Sequence, residues 1–237
     1  MLTNKPWNPE SLLWLGCTFM LALAPGAAIA DLFEDGSVAQ MAANITVLPV
    51  AILVAVTVWF QVNRRFYQSP ISLAAAFGFN RNNTDRCLML GLVTGLGLVL
   101  ISMVLALLTS QLIHALGDQA EPQKLVTLIA EESAKKENIP TLIFFVVMAV
   151  VVAPIAEEIL FRGILYPAVK QLGHPRVAVI GTALLFALFH VNLLTFASLT
   201  VVALGLIALY EFTDNLLAPI TAHAVFNASN LIMLFWQ

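Results

Sequence analysis

Charge is the scarcest commodity in this 237-residue sequence. Asp, Glu, Lys and Arg together make up 11 % of it, against roughly 25 % in an ordinary soluble domain. With 60 % hydrophobic residues and a mean hydropathy of +0.90, one buried core cannot absorb the apolar surface, so that surface faces lipid and a water-soluble globule is excluded. No run of Lys or Arg is long enough to grip a phosphate backbone, and the net charge is −3, which excludes nucleic acid as a partner. The two cysteines, Cys17 and Cys87, stand far apart in apolar segments. They form neither a disulfide framework nor a cysteine metal cluster, and both are read as small core hydrophobes. The apolar stretches are continuous and lack the alternation of barrel strands, so the spans are helices.

Uncharged stretches lie between Glu10 and Asp31, Asp35 and Arg64, Arg86 and Asp118, Glu137 and Glu157, Arg176 and Glu211, and from Asn215 onward. A bilayer core of about 30 Å needs about 20 helical residues, so the 34 residues between Arg176 and Glu211 divide into two spans, near Asn192 to Ala197. The expected fold is all-α, a polytopic bundle of about seven spans near 11–30, 45–62, 87–113, 141–160 continuing as helix to 172, 176–194, 197–212 and 216–236. Lys5, Arg64, Arg65, Arg81, Arg86, Arg162, Lys170 and Arg176 fall on the N-terminal side of this path, and Lys124, Lys135 and Lys136 on the other. The positive-inside rule therefore puts the N-terminus inside. The short chain is read as bacterial, which places it in the cytoplasmic membrane.

Residues 1–30 admit a second reading as a signal peptide, since Lys5 precedes an apolar stretch that ends in Ala28-Ile29-Ala30. In segment 122–137, Leu125, Leu128 and Ile129 share one face, as expected of an amphipathic helix on the outer interface. Gly91 and Gly95 form a GxxxG pair that marks close helix packing in preference to a dimer face.

Ionisable groups within a span cost on the order of 2.5–3.5 kcal/mol each, and here they concentrate in the second half of the chain. Glu157, Glu158 and Arg162 lie on the fourth helix, His190 on the fifth, and His223 with Asn227 on the seventh. Glu158 and Arg162 are spaced i, i+4 and can pair on one face, which leaves Glu157 pointing about 100° away as the unpaired acid. Phe186 with His190, and His223 with Asn227, repeat the same spacing. Pro154 withholds one helix hydrogen bond and is expected to free the Val150 carbonyl beside the acid. Glu157 and His190 are nearly equidistant from the Gly173-His174-Pro175 turn. In an antiparallel hairpin they share a level, so a carboxylate, two imidazoles and an amide converge within the membrane between the fourth, fifth and seventh helices. His114 and His174 end a span and occupy a turn, without catalytic company. Glu211 and Asp214 flank the turn before the last span and are read as helix caps.

These residues resemble the motifs of the CAAX-protease and bacteriocin-processing family of intramembrane proteases, also called the Abi or type II CAAX endopeptidase family. The first motif, EExxxR, reads Glu157-Glu158-Ile159-Leu160-Phe161-Arg162 and is followed by Gly163; FxxxH reads Phe186 to His190; HxxxN reads His223 to Asn227. The resemblance covers about residues 141–236. It divides the chain into a helical scaffold at 1–140, where substrate choice would reside, and a catalytic region at 141–237. It implies endoproteolysis of a membrane-associated peptide or protein. Glu157 with His190 would activate water, His223 with Asn227 would stabilise the oxyanion, and Glu158 would be the orienter paired with Arg162. Glu157, His190 and His223 could instead ligate zinc with a fourth position left for water, although the HExxH pair of ordinary zinc proteases is absent. A non-catalytic membrane scaffold or immunity protein of the same fold is the alternative. A transporter ranks lower, because the two halves show no inverted repeat of broken helices.

Overall fold

In the computed structural model, which describes residues 2–7, 11–34, 37–66, 72–79, 83–117, 127 and 139–236, all regular structure is helical. The helices are α1 (Ser11–Ala30), α2 (Val38–Phe66), a one-turn α3 (Leu73–Phe77), α4 (Thr84–Ala115), α5 (Ile139–Gln171), α6 (Pro175–Phe189), α7 (Leu193–Thr213) and α8 (Leu217–Phe235). Six of them, all except α3 and α6, are long and apolar enough to cross a bilayer. The protein is an integral membrane protein with the helical architecture that its composition requires.

Two boundaries differ from expectation. The helix before His190 has 15 residues, about 22 Å, and stops short of a full span; the break falls at His190–Asn192 and not at 192–197. The cause is local. Val191 takes a left-handed backbone conformation with φ 45°, and the Asn192 side chain accepts hydrogen bonds from the Thr195 N–H at 3.0 Å and the Thr195 hydroxyl at 3.1 Å, capping α7 one turn early. The one-turn α3 has no counterpart in the expected spans, being too short for any periodicity to register. The amphipathic segment 122–137 falls outside the described residues, apart from Thr127.

α4 is the spine of the second half. A Cβ on Gly91 would stand 2.7 Å from the Ala218 carbonyl oxygen, and one on Gly95 would stand 2.6 Å from that of Ala222. The GxxxG pair therefore seats α8 directly against α4, as close packing requires. The opposite side of α4, with Leu92, Leu96, Leu100 and Leu107, is exposed to the surroundings, the lipid face of a spanning helix. Cys87 is buried as expected, but Cys17 is exposed; an apolar segment in lipid has no need to turn its cysteine inward.

The N-terminal segment reaches under the bundle. Trp7 is buried against Trp59, Phe60 and Phe77, with ring centroids 4.7, 5.9 and 5.8 Å away. Lys5 Nζ pairs with Asp214 at 2.6 Å, and the Thr3 hydroxyl donates to the other Asp214 oxygen at 2.6 Å. Glu211 accepts from the Leu2 N–H at 3.3 Å and the Tyr166 hydroxyl at 2.6 Å, and pairs with Lys170. The carboxylates of Glu211 and Asp214 thus tie three chain segments together. Asp214 is also the C-cap of α7 as expected, in a left-handed conformation with its N–H on the Tyr210 carbonyl, while Glu211 lies within the helix and is not a cap. These contacts also put the N-terminal segment, the end of α5 and the α7–α8 turn on one side of the bundle. Gly78 closes this side: at φ +72° a Cβ would fall 1.8 Å from the Asp214 carbonyl oxygen, and the neighbouring Phe77 carbonyl accepts the Leu216 N–H at 2.8 Å. Only glycine fits there.

Candidate active site

The acidic helix α5 is not uniform. It runs as α-helix over Ile139–Val147, widens to a π segment at Met148–Val152, returns to α over Ala153–Glu158, widens again at Ile159–Leu165 and finishes as α over Tyr166–Gln171. Glu157 and Glu158 sit at the end of the short α stretch between the two π segments. Such widenings are rare and concentrate at functional sites.

Glu158 is fully buried and Arg162 is 1 % exposed. Arg162 Nη1 donates to Glu158 Oε1 at 2.7 Å, which is the pairing expected from the i, i+4 spacing, and Nη2 reaches the Ala203 carbonyl on α7 at 3.4 Å. The same Glu158 oxygen accepts the His223 Nδ1–H at 2.9 Å. Glu158 is thus a bridge, holding the guanidinium of its own helix and the imidazole of α8. The His223 contact is not readable from the sequence, where Asn227 is the nearest candidate to fix that ring.

Glu157 faces the other side of His223. Its Oε2 lies 3.9 Å from His223 Nε2, beyond hydrogen-bond range, and this buried oxygen has no hydrogen-bond partner among the described residues. It is the unpaired acid that the spacing implies. The second Glu158 oxygen, Oε2, is likewise unpartnered among them.

Phe186 forms the wall between the two histidines. Its ring lies 4.9 Å from that of His190 and 5.7 Å from that of His223, centroid to centroid, with the Arg162 guanidinium 4.4 Å over its face and Phe161 edge-on at 5.3 Å. Burying a guanidinium against an aromatic face recovers part of its lost hydration. His190, the residue that follows α6, hydrogen-bonds through Nδ1 to the Phe186 carbonyl at 2.9 Å. A carbonyl only accepts, so Nδ1 carries the proton and the neutral ring presents the Nε2 lone pair.

Asn227 is placed differently from expectation. Its Nδ2 donates to the Ala149 carbonyl on α5 at 2.8 Å, away from the His223 ring. The register of α5 explains this. In the first π segment the Ala153 N–H bonds to the Met148 carbonyl, five residues back, so the next bond in that register would run from residue 154 to Ala149. Residue 154 is proline and has no N–H. In that register the carbonyl deprived of its bond is Ala149's, where an ordinary α register points to Val150's.

Both histidines hold Nδ1 on an acceptor and present Nε2, as metal-ligating imidazoles do. No three His, Cys, Asp or Glu side chains among the described residues, however, gather into a group able to hold an ion. His114 and His174 are exposed at a helix end and a turn, remote from these contacts as expected. The residue that sequence reading missed is Trp7, whose indole N–H donates to the Gly163 carbonyl at 2.8 Å; one tryptophan near a chain start carries no signal for such a contact.

No curated protein and no solved structure matches the chain. Residues 139–229 match the family model described as type II CAAX prenyl endopeptidase Rce1-like. That stretch contains Glu157, Glu158, Arg162, His190, His223 and Asn227, and over it the chain is similar to that family.

Proposed function

We propose that the protein is an intramembrane endopeptidase that cleaves a membrane-associated peptide or protein with water activated by Glu157 and His190. The observation that supports this most directly is the buried, unpartnered Glu157 Oε2, 3.9 Å from His223 Nε2. A carboxylate oxygen kept without a protein partner at a buried site is costly to maintain, and such an oxygen is free to act as a base toward water.

In this reading Glu157 accepts a proton from the water while the His190 Nε2 lone pair orients it. The water oxygen forms a bond to the scissile carbonyl carbon. His223, held through Nδ1 by Glu158, turns Nε2 to the same space and as an imidazolium donates to the developing oxyanion. Collapse of the tetrahedral intermediate breaks the C–N bond, and the proton held by Glu157 passes to the leaving amine. Arg162 offsets the charge of Glu158 so that this carboxylate stays an acceptor for His223.

The test is hydrolysis of prenylated and unprenylated membrane peptides by the purified protein in lipid. Glu157→Gln keeps shape and removes the base, so turnover is expected to fall by at least about 10²-fold with the melting temperature unchanged. Near-normal turnover in Glu157→Gln would overturn the assignment.

A further inference from the structure

Helix α5 carries two interior prolines, one on each side of the acidic pair. Each withholds an N–H from a carbonyl, and within a bilayer no water is at hand to replace it. Pro154 leaves Ala149 without its π-register donor, and Asn227 Nδ2 supplies one from α8 at 2.8 Å. In the second π segment the Tyr166 N–H likewise bonds five residues back, to Phe161, so the N–H that Pro167 lacks would serve Arg162 in that register and Gly163 in the α register that follows. The Gly163 carbonyl takes the Trp7 indole N–H from the N-terminal segment, also at 2.8 Å. Neither donor belongs to α5. Trp7 is 6 % exposed and wedged among Trp59, Phe60 and Phe77, so its N–H has a fixed direction. A Cβ on Gly163 would meet the Phe77 ring at 2.7 Å, so glycine is what lets this wedge sit against α5.

We propose that Asn227 and Trp7 are positioning residues, two hydrogen-bond clamps that hold the π segments on either side of Glu157 and Glu158 and thereby set which acid faces which imidazole nitrogen. The leverage is geometric. A turn that reverts from i−5 to i−4 bonding moves the following residues by one position around the helix, about 100°. That is the angle between neighbouring residues, so losing the register at 148–152 would turn Glu157 toward the direction Glu158 now takes and carry Glu158 past His223, breaking the bridge. On this assignment Asn227 acts through α5 and not on the oxyanion. Trp7 is a support for the site contributed by the part of the chain that carries no motif.

Double-substitution cycles decide the matter, because removing the proline gives α5 back its own donor. Asn227→Ala alone is expected to lower Tm by about 3–8 °C, the effect of stranding one buried carbonyl, and to lower kcat with little change in KM. In a Pro154→Ala background the same substitution should cost less than half as much in Tm and in kcat. Trp7→Phe, which keeps the ring and deletes the N–H, should show the same rescue by Pro167→Ala. Equal losses from Asn227→Ala in both backgrounds, as direct oxyanion donation requires, would overturn the clamp; so would a failure of Pro154→Ala to restore folding if the single variant does not fold. The kinetic arm rests on the protease reading but the Tm arm does not. A wild-type protein that cleaves nothing defeats the former reading, while the Tm cycles still decide the clamps.

Discussion

Glu158 shows how much one side chain can be asked to do. It accepts from Arg162 and His223 through a single oxygen, at 2.7 and 2.9 Å, in a site with no exposure of its own. Glu158→Ala would strand the Arg162 charge and release the ring, a loss of about 3–5 kcal/mol for a fully buried pair with one partner removed. Thermal unfolding in detergent should report that loss, accompanied by loss of activity. Replacing Glu158 and Arg162 together with apolar residues should recover much of the stability and none of the activity, since His223 would still lack its acceptor. Melting behaviour like wild type in Glu158→Ala would refute the bridge. The Glu158–Arg162 half of this arrangement was legible in the sequence, because an i, i+4 spacing is a property of a single helix. The His223 half was not, because it depends on where α8 lies.

Among the elements, α4 decides that position. Gly91 and Gly95 bring its backbone against Ala218 and Ala222 of α8, the helix that carries His223 and Asn227. Gly95→Ala must push α8 outward and is expected to destabilise by about 1–3 kcal/mol, as overpacking does. Gly97, two residues on, has nothing within 4 Å of where a methyl group would stand; Gly97→Ala should leave the melting temperature unchanged or raise it, since alanine is the better helix former. Equal effects of the two substitutions would show that the α4–α8 approach is not tight. The π segments of α5 belong to this scale too. The proline positions were visible in the sequence, but the register that each proline acts on was not, because α and π bonding differ little locally and the choice between them falls to donors on other elements.

Across the whole molecule, the N-terminal segment, the end of α5 and the α7–α8 turn meet on one side through Lys5, Asp214, Lys170 and Glu211. From the excess of Lys and Arg on that side, the positive-inside rule predicts that it is the inner one. With Cys17 and Cys87 replaced by alanine, His174→Cys at its exposed turn should react with a membrane-impermeant thiol reagent only when the inner face is accessible. Leu116→Cys, also at an exposed position, should react from outside intact cells, and the opposite pattern would reverse the orientation. Composition, run length and spacing along a single helix were enough to establish the surrounding medium, the helical class, the approximate spans and the identity of the polar groups, since no distant contact can alter any of them. Other features took shape only in the packed bundle: α6 stops short at His190, Glu158 bridges to His223, and Asn227 and Trp7 turn to the carbonyls of α5. Those outcomes are competitions among hydrogen-bond partners far apart in the chain. In a medium without water to satisfy the losers, the packing of the helices settles which donor reaches which acceptor.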